Sequence, residues 1–369
     1  MHIGIDASRA AVAARTGTEW YSLQVIRRLV TLDAEDTYTL YSRAPLPAEV
    51  PLAPPRVTAR VMPFPRLWTH ARLSWEMTRR PPDVLWVPAH VLPLVHPRRT
   101  VVTIHDLGYL HHPESHPALH RLYLRLSTAW SARAATHLIA VSQATKSDLV
   151  REYDVSPDKV TVVYHGVDER FRPVDDPTTL AAVRQRYGIA GPYVLYVGTL
   201  QPRKNLVRLV EAFAQILPPL VGGVLVLAGR KGWLYDAIFE TVARLGLTGR
   251  VIFPGYVDAA DVPSLMAGAQ LFVLPSLYEG FGLPVAEALA CGVPVVCANV
   301  SSLPEVAGDA ALLVDPTDVD ALAGAMRRAL TDEPLRRDLI ARGFRQAARF
   351  SWDRCAAETL AVLRLTFDV

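Results

Sequence analysis

Short runs of apolar, β-branched residues recur along the whole chain, separated by amphipathic stretches of helical length. That alternation constrains the fold to parallel sheets covered by helices, because strands buried on both faces read as continuous hydrophobic runs and parallel neighbours need a crossover. In the first half, strands are expected at 2–6, 37–41, 57–62, 84–87, 101–105, 137–141 and 160–164. In the second half they are expected at 193–197, 224–228, 251–253, 271–274, 294–298 and 311–314, each followed by a turn signal and a helical segment. A chain of 369 residues exceeds one ordinary α/β core and suits two. The polar, proline-containing stretch 171–177 precedes a helix expected at 180–187, so the linker is placed there, between domains 1–172 and 173–350. The amphipathic stretch 351–367 follows a complete α/β unit, and residues 351–369 are expected to cross back to the first domain.

Composition narrows the function classes. Half the residues are hydrophobic, a fifth are charged and the net charge is +3, which describes a globular protein. The pI near 8.8 comes without a dense Lys/Arg block, so no nucleic-acid partner is expected, while a mildly basic face against an anionic membrane stays open. Residues 1–17 carry Asp6, Arg9 and Arg15 and no apolar core, unlike a secretory signal. The longest apolar run, 216–229, is broken by Pro218-Pro219 and Gly222-Gly223 and is too short to span a bilayer. Cys291, Cys297 and Cys355 form neither a CxxC nor a Cys/His spacing, so no disulfide framework or zinc site is expected, and a reducing cytoplasm fits.

The densest constellation is Pro275-Ser276-Leu277-Tyr278-Glu279-Gly280-Phe281-Gly282-Leu283-Pro284-Val285-Ala286-Glu287-Ala288, between an apolar strand and a helix. Gly280 and Gly282 permit a tight turn with exposed backbone N–H groups, and Pro284 suits a first helical turn. A helix N-terminus beneath such a turn is an anion site, most naturally for phosphate. Glu279 falls at the carboxyl end of a strand, where open α/β sheets bind ligands, and Glu287 lies a turn into the helix. The two carboxylates thus flank one phosphate site. The plainer alternative is a loop with one solvated and one helical Glu, which the surrounding glycines disfavour. A second signal is Gly198-Thr199-Leu200-Gln201-Pro202-Arg203-Lys204-Asn205, also between strand and helix. Adjacent cations at the same sheet edge can neutralise a diphosphate leaving group, whereas an isolated Arg-Lys pair is usually a solvated surface pair.

These segments, with Tyr193 to Asn205 reading YVLYVGTLQPRKN and Pro254-Gly255-Tyr256-Val257, resemble the retaining glycosyltransferase family 4. Thr103-Ile104-His105-Asp106-Leu107 and His165-Gly166-Val167-Asp168 extend the likeness over nearly the whole chain. The resemblance implies the GT-B fold, two facing Rossmann-like domains, and a hexosyltransferase that uses a nucleotide diphosphate sugar. It implies that Arg203 and Lys204 bind the donor pyrophosphate near Gly198 and Thr199, and that Glu287 accepts hydrogen bonds from the ribose. Glu279 would hold hydroxyls of the transferred sugar with the backbone of Gly280, Phe281, Gly282 and Leu283. Backbone at Tyr256 and Val257 would meet the base. His105 and Asp106 would approach the sugar from the first domain, and Gly17 and Thr18, in the loop after the first strand, would lie near phosphates or acceptor. Two departures stand out: Thr199 replaces the family's usual Arg, leaving Arg203 as substitute cation, and the first loop has one glycine in place of a pair.

No Asp-x-Asp motif of the metal-dependent type is present, and the cations with the helix N-terminus can serve a metal-independent retaining transfer. No cofactor or metal is expected. The PRKN form resembles mannosyltransferases of bacterial polysaccharide assembly, so GDP-mannose is the expected donor and a glycan on a lipid carrier the expected acceptor. The enzyme would then sit peripherally at the cytoplasmic face of the inner membrane. For His105-Asp106 a structural hydrogen-bonding pair is an equally open reading. The tract from His111 to His116 lacks helical spacing with a carboxylate and contains Pro113, so an exposed loop is expected, not a metal site. Trp68, Trp75 and Trp86 read as core or interdomain packing, with Arg72 to Glu76 available to the acceptor side. A nicotinamide oxidoreductase is disfavoured because Asp6-Ala7-Ser8-Arg9 follows the first strand where GxGxxG would stand. A same-fold epimerase or phosphorylase, or a non-catalytic nucleotide-sugar-binding subunit, are the competing readings.

Overall fold

The computed structural model describes residues 1–13, 15, 17–115, 117–217 and 222–368. Pro218-Pro219, expected to break an apolar run, and His116 of the histidine tract lie outside the described residues. The chain forms two compact units, Met1–Gly166 with Ser351–Val369, and Val167–Phe350.

The described residues of the first unit build a seven-stranded parallel sheet from β1 (His2–Asp6), β2 (Thr37–Ser42), β3 (Val57–Val61), β4 (Val84–Val87), β5 (Arg99–Ile104), β6 (His137–Ala140) and β7 (Val160–Val162). Their order is β3-β2-β1-β4-β5-β6-β7. The chain winds outward from β1, returns and winds the other way from β4, so the carboxyl ends of β1 and β4 mark a topological switch point. Ile3, Ile5, Leu85, Val101 and Leu138 are fully buried, as strands covered on both faces require.

The helix Trp352–Asp368 belongs to this unit, packed on the helix Gly17–Leu32. Arg28 Nε donates to Asp353 Oδ1 at 2.7 Å, and Arg364 Nη2 lies 3.0 Å from Asp33 Oδ1 and 3.2 Å from Asp36 Oδ2. Trp352 is buried against Tyr21 and His165, with ring centroids 6.2 and 5.7 Å away. Gly166 makes this docking possible, since a Cβ there would sit 2.1 Å from Trp352 N.

The described residues of the second unit build a six-stranded parallel sheet from β8 (Tyr193–Val197), β9 (Val224–Ala228), β10 (Val251–Gly255), β11 (Leu271–Leu274), β12 (Val295–Ala298) and β13 (Ala311–Val314). The order β10-β9-β8-β11-β12-β13 puts its switch point between β8 and β11, which pair as Leu271↔Val194 and Phe272↔Leu195. Both sheets have the doubly wound order of Rossmann-like folds.

Several expectations need correction. The units divide upstream of the stretch 171–177: Val167 N donates to Phe350 O at 3.1 Å and Phe171 is buried, so these residues belong to the second unit. The helix expected at 180–187 is Pro177–Arg186; it begins earlier because Asp176 caps it, accepting from Thr178 N at 3.0 Å and Thr179 N at 3.2 Å. Trp68 and Trp86 are core, but Trp75 is exposed, with the Arg79 guanidinium 5.7 Å from its ring. Glu76 is buried in an ion-pair group with Arg60 (2.9 Å) and Arg72 (3.1 Å). The histidine tract is two short helical turns, Gly108–His111 and Pro113–Ser115, instead of an open loop; His111 Nε2 lies 2.9 Å from Asp148 Oδ2. Among the described residues no helix is long and apolar enough to cross a membrane.

Candidate active site

Because β8 and β11 are neighbours, the loops leaving their carboxyl ends are forced together. The first loop turns at Gly198, whose N donates to Ala228 O at 2.9 Å. Gly229, at φ +149°, faces it so closely that a Cβ would lie 1.9 Å from Gly198 O. Tyr196 OH donates to Thr199 O at 3.1 Å. A single 3-10 turn, Pro202–Lys204, then presents the two cations. Asn205, in the left-handed region at φ +59°, ends it and donates through Nδ2 to Pro275 O (3.1 Å) and Pro316 O (2.6 Å). That amide clamps the first loop to the second.

The clamp brings Arg203, Lys204 and Glu279 into one group. Lys204 Nζ pairs with Glu279 Oε1, Arg203 Nη1 lies 3.6 Å from Oε2, and Arg203 also donates to Tyr278 O. Leu277 N donates to Arg203 O at 2.9 Å. Ser301 Oγ accepts from Glu279 N (2.9 Å) and Ser302 Oγ donates to Glu279 O (3.0 Å), fixing the carboxylate's backbone from β12's side. Burial alone would push the Glu279 carboxyl up, but the Lys204 and Arg203 charges outweigh it and hold it below the ordinary carboxylate value. The residue is only 8% exposed and is ionised at neutral pH.

Gly280-Phe281-Gly282 leads into the helix Leu283–Ala290, with Pro284 in the first turn. Gly282 sits at φ +90°, where a Cβ would meet Leu303 Cδ2 at 2.5 Å. Phe281 is buried edge-on against Phe350, with centroids 5.4 Å apart. Glu287 lies one turn along. Burial pushes its carboxyl up to about 8, nearby Asp168 reinforcing the shift and Arg170 opposing it. The two carboxylates therefore do not act as an equivalent pair. Glu279 is charged and cation-paired, whereas burial keeps the Glu287 carboxyl above the ordinary carboxylate value.

Tyr256 and Val257 follow β10, two strands from the switch point. Gly229 N donates to Gly255 O at 2.8 Å, and the Arg230 guanidinium lies 4.4 Å from the centroid of the half-exposed Tyr256 ring, while Val257 is buried.

In the first unit, His105 follows β5 and is buried. Its Nε2 donates to Pro88 O at 2.7 Å, and burial with the neighbouring His90 pulls its pKa down to about 3. The ring is thus neutral, with a lone pair on Nδ1. Asp106 Oδ1 accepts from Gly108 N at 3.0 Å, starting the turn Gly108–His111. Gly17 and Thr18 are not loop residues as expected but the first turn of Gly17–Leu32, where Ser22 Oγ donates to Thr18 O at 2.9 Å. Sequence reasoning passed over His90, which follows β4 at φ +51°. It accepts from His105 N through Nε2 at 3.0 Å and stacks on that ring with centroids 5.5 Å apart. A non-glycine left-handed residue leaves no mark in sequence. Among the described residues no group of three His, Cys, Asp or Glu side chains is placed to hold a metal ion, and all three cysteines are buried free thiols.

Cations, glycine turns and a helix start gathered at the switch point of a Rossmann-like sheet suit a diphosphate donor. Two such units in one chain define the GT-B class of glycosyltransferases. Comparison with known proteins gives the family. Residues 15–171 match the model "Glycosyltransferase Family 4" and residues 183–346 match "Glycosyl transferases group 1". The chain is 34% identical over 379 residues to the O-antigen chain mannosyltransferase B of Escherichia coli, covering 95% of this chain and 96% of that one. Among solved structures it resembles sucrose-phosphate synthase from Thermosynechococcus elongatus, with TM-score 0.78 and 23% identity, covering 100% and 99% of the two chains. It also resembles Anabaena HepE in complex with UDP-glucose, with TM-score 0.74 and 21% identity, covering 98% and 99%. The chain belongs to glycosyltransferase family 4 and is a glycosyltransferase.

Proposed function

We propose that the protein is a retaining, metal-independent hexosyltransferase that moves mannose from GDP-mannose to a glycan on a lipid carrier, working peripherally at the cytoplasmic face of the inner membrane. The observation that carries this reading is the group Arg203, Lys204 and Glu279 at the β8–β11 switch point. A diphosphate leaving group develops negative charge as its bond to the sugar breaks, and two cations held in a low-dielectric crevice stabilise that charge as a divalent ion would. The name of the E. coli relative supports mannose, and the HepE complex supports a nucleotide-sugar donor.

In this reading the donor diphosphate engages Lys204, Arg203 and the amides from Gly280 to Leu283. Glu279, released from part of its ion pairing, holds the sugar hydroxyls. Glu287 gives up its proton as it accepts from the ribose hydroxyls, and the backbone at Tyr256 and Val257 meets the base, with Gly198 and Thr199 beside the phosphates. His105 accepts a hydrogen bond from a sugar hydroxyl through Nδ1, Asp106 assists it, and Gly17 and Thr18 serve the acceptor side. The acceptor hydroxyl attacks the face from which the diphosphate leaves, and a leaving-group oxygen takes its proton.

The test is a thermal-shift panel of nucleotide diphosphates and nucleotide sugars in EDTA, since a ligand of the folded form raises Tm by linkage. A selective shift with GDP and GDP-mannose is expected. A shift with UDP or ADP ligands redirects the donor, and no shift with any of them overturns the catalytic reading in favour of a non-catalytic subunit.

A further inference from the structure

The loop after β9 runs between the loops that follow β8 and β10 and is pinned to both. Leu200 N donates to Arg230 O at 2.9 Å, Gly232 N donates back to Leu200 O at 2.9 Å, and Gly229 N donates to Gly255 O at 2.8 Å. Gly232 permits the approach, because a Cβ there would lie 2.8 Å from Leu200 O. The β9 loop thus adjoins the loop bearing Arg203 and Lys204, on the other side of β8 from β11.

Its two cations are held by aromatic faces. The Arg230 guanidinium lies 4.4 Å from the Tyr256 ring centroid, and Lys231 Nζ lies 4.8 Å from that of Phe239 and 5.2 Å from that of Tyr235. Phe239 in turn stacks on Phe253 with centroids 4.3 Å apart. Residues 198–205, 229–235 and 251–257 contain no Asp or Glu. Arg230 is exposed and Tyr256 is 48% exposed. A guanidinium laid on an aromatic ring is oriented in advance, yet its planar fork of N–H donors stays open to a ligand.

A nucleoside diphosphate whose phosphates meet Arg203 and Lys204 extends its base along the carboxyl edge of the sheet, towards one flank or the other. Beyond β11, Ser301 and Ser302 are already engaged with the Glu279 backbone. Beyond β8, the β9 and β10 loops offer an exposed ring and an oriented donor fork. Such a fork reads two adjacent acceptors. Guanine presents them as O6 and N7, adenine sets a donor amino group beside N7, and a pyrimidine has no N7.

We propose that Arg230, oriented by Tyr256, selects the nucleobase, its fork donating to O6 and N7 of guanine. This rests on the nucleotide-donor reading above and adds the side chain that chooses the base.

The test is calorimetric Kd for GDP, inosine diphosphate, ADP and UDP with wild type, Arg230→Met, Tyr256→Leu and Tyr256→Phe. Inosine keeps O6 and N7 but lacks the exocyclic amino group of guanosine. Wild type is expected to bind GDP and inosine diphosphate alike, and ADP and UDP about 10–100-fold more weakly. Arg230→Met should weaken GDP and inosine diphosphate to the level of the others, while ADP and UDP keep their wild-type Kd and so report a folded site. Tyr256→Leu should lose part of the preference, and Tyr256→Phe, which retains the ring, should keep it. An Arg230→Met protein that still prefers GDP, or that binds every nucleotide more weakly by one factor, overturns the proposal and leaves the GDP donor standing. A wild type that prefers ADP or UDP overturns the donor base as well as the proposal, and a wild type that binds none of them overturns the donor reading itself.

Discussion

Replacing Lys204 by Met removes the cation that pairs with Glu279 Oε1 and leaves Arg203 Nη1 3.6 Å from Oε2. At that separation and an effective dielectric of about 20, each cation attracts the carboxylate by about 5 kcal/mol before desolvation is subtracted. Breaking a buried pair costs about 3–5 kcal/mol, and since Arg203 still compensates part of the charge, a net loss of about 2–3 kcal/mol is expected. For a unit of this size that lowers Tm by about 4–12 °C. Turnover should fall separately, by about 10²–10³, because one of the charges stabilising the leaving diphosphate is gone. The double variant Lys204→Met/Glu279→Gln separates the two effects. Its buried acid is no longer charged but Arg203 loses its carboxylate partner, so stability should return only in part while turnover stays at or below that of the single variant. Differential scanning fluorimetry and a donor-consumption assay well below Tm read both quantities. Wild-type turnover in Lys204→Met, or turnover that recovers with stability in the double variant, refutes the reasoning.

The remaining predictions concern Glu287, Glu279 and Gly229 in the second unit and His90 in the first. Glu287 is raised from its ordinary value of 4.5 to about 8, so the folded protein binds more protons than the unfolded chain between those limits. Stability from this group is complete below 4.5 and declines as pH rises towards 8; Glu287→Gln should flatten Tm against pH across that window and weaken donor binding, and an unchanged pH profile would disprove the assignment. Glu279→Gln should cut turnover far more than it weakens donor binding, measured as kcat against donor Kd. His90→Ala should lower kcat with donor KM nearly unchanged, since it removes the acceptor for His105 N–H; equal losses in an unrelated surface alanine would argue for a general effect. Gly229→Ala places a Cβ 1.9 Å from Gly198 O in a backbone conformation that L residues avoid, so its Tm should drop sharply and its nucleotide response should be abolished.

The strands were legible because parallel strands buried on both faces leave unbroken apolar runs, such as Val224–Ala228 and Leu271–Leu274. The glycine-rich turns announced where the loops after β8 and β11 turn sharply, since Gly198 and Gly282 serve conformations open to few other residues. Partnership across the sheet was not legible. Lys204 and Glu279 are 75 positions apart, and only the β8–β11 adjacency joins them. Nor could spacing reveal that Glu279 is charged while the Glu287 carboxyl lies above the ordinary carboxylate value, because that difference comes from burial and from where the cations fall. Asn205, His90 and Ser301 adopt left-handed backbone without being glycine, which composition does not signal. Trp75 was expected to pack in the interior, and nothing in the sequence told that it faces solvent.

The most direct test of glycosyl transfer by this centre is to follow GDP-mannose and a lipid-analogue acceptor by proton NMR in EDTA, reading the anomeric signal of the first product. Formation of an α-mannoside, with GDP released in equal amount and lost in Glu279→Gln, is the predicted result. A β-mannoside, or a reaction that requires an added divalent ion, would contradict the retaining, cation-assisted account built on Arg203, Lys204 and Glu279.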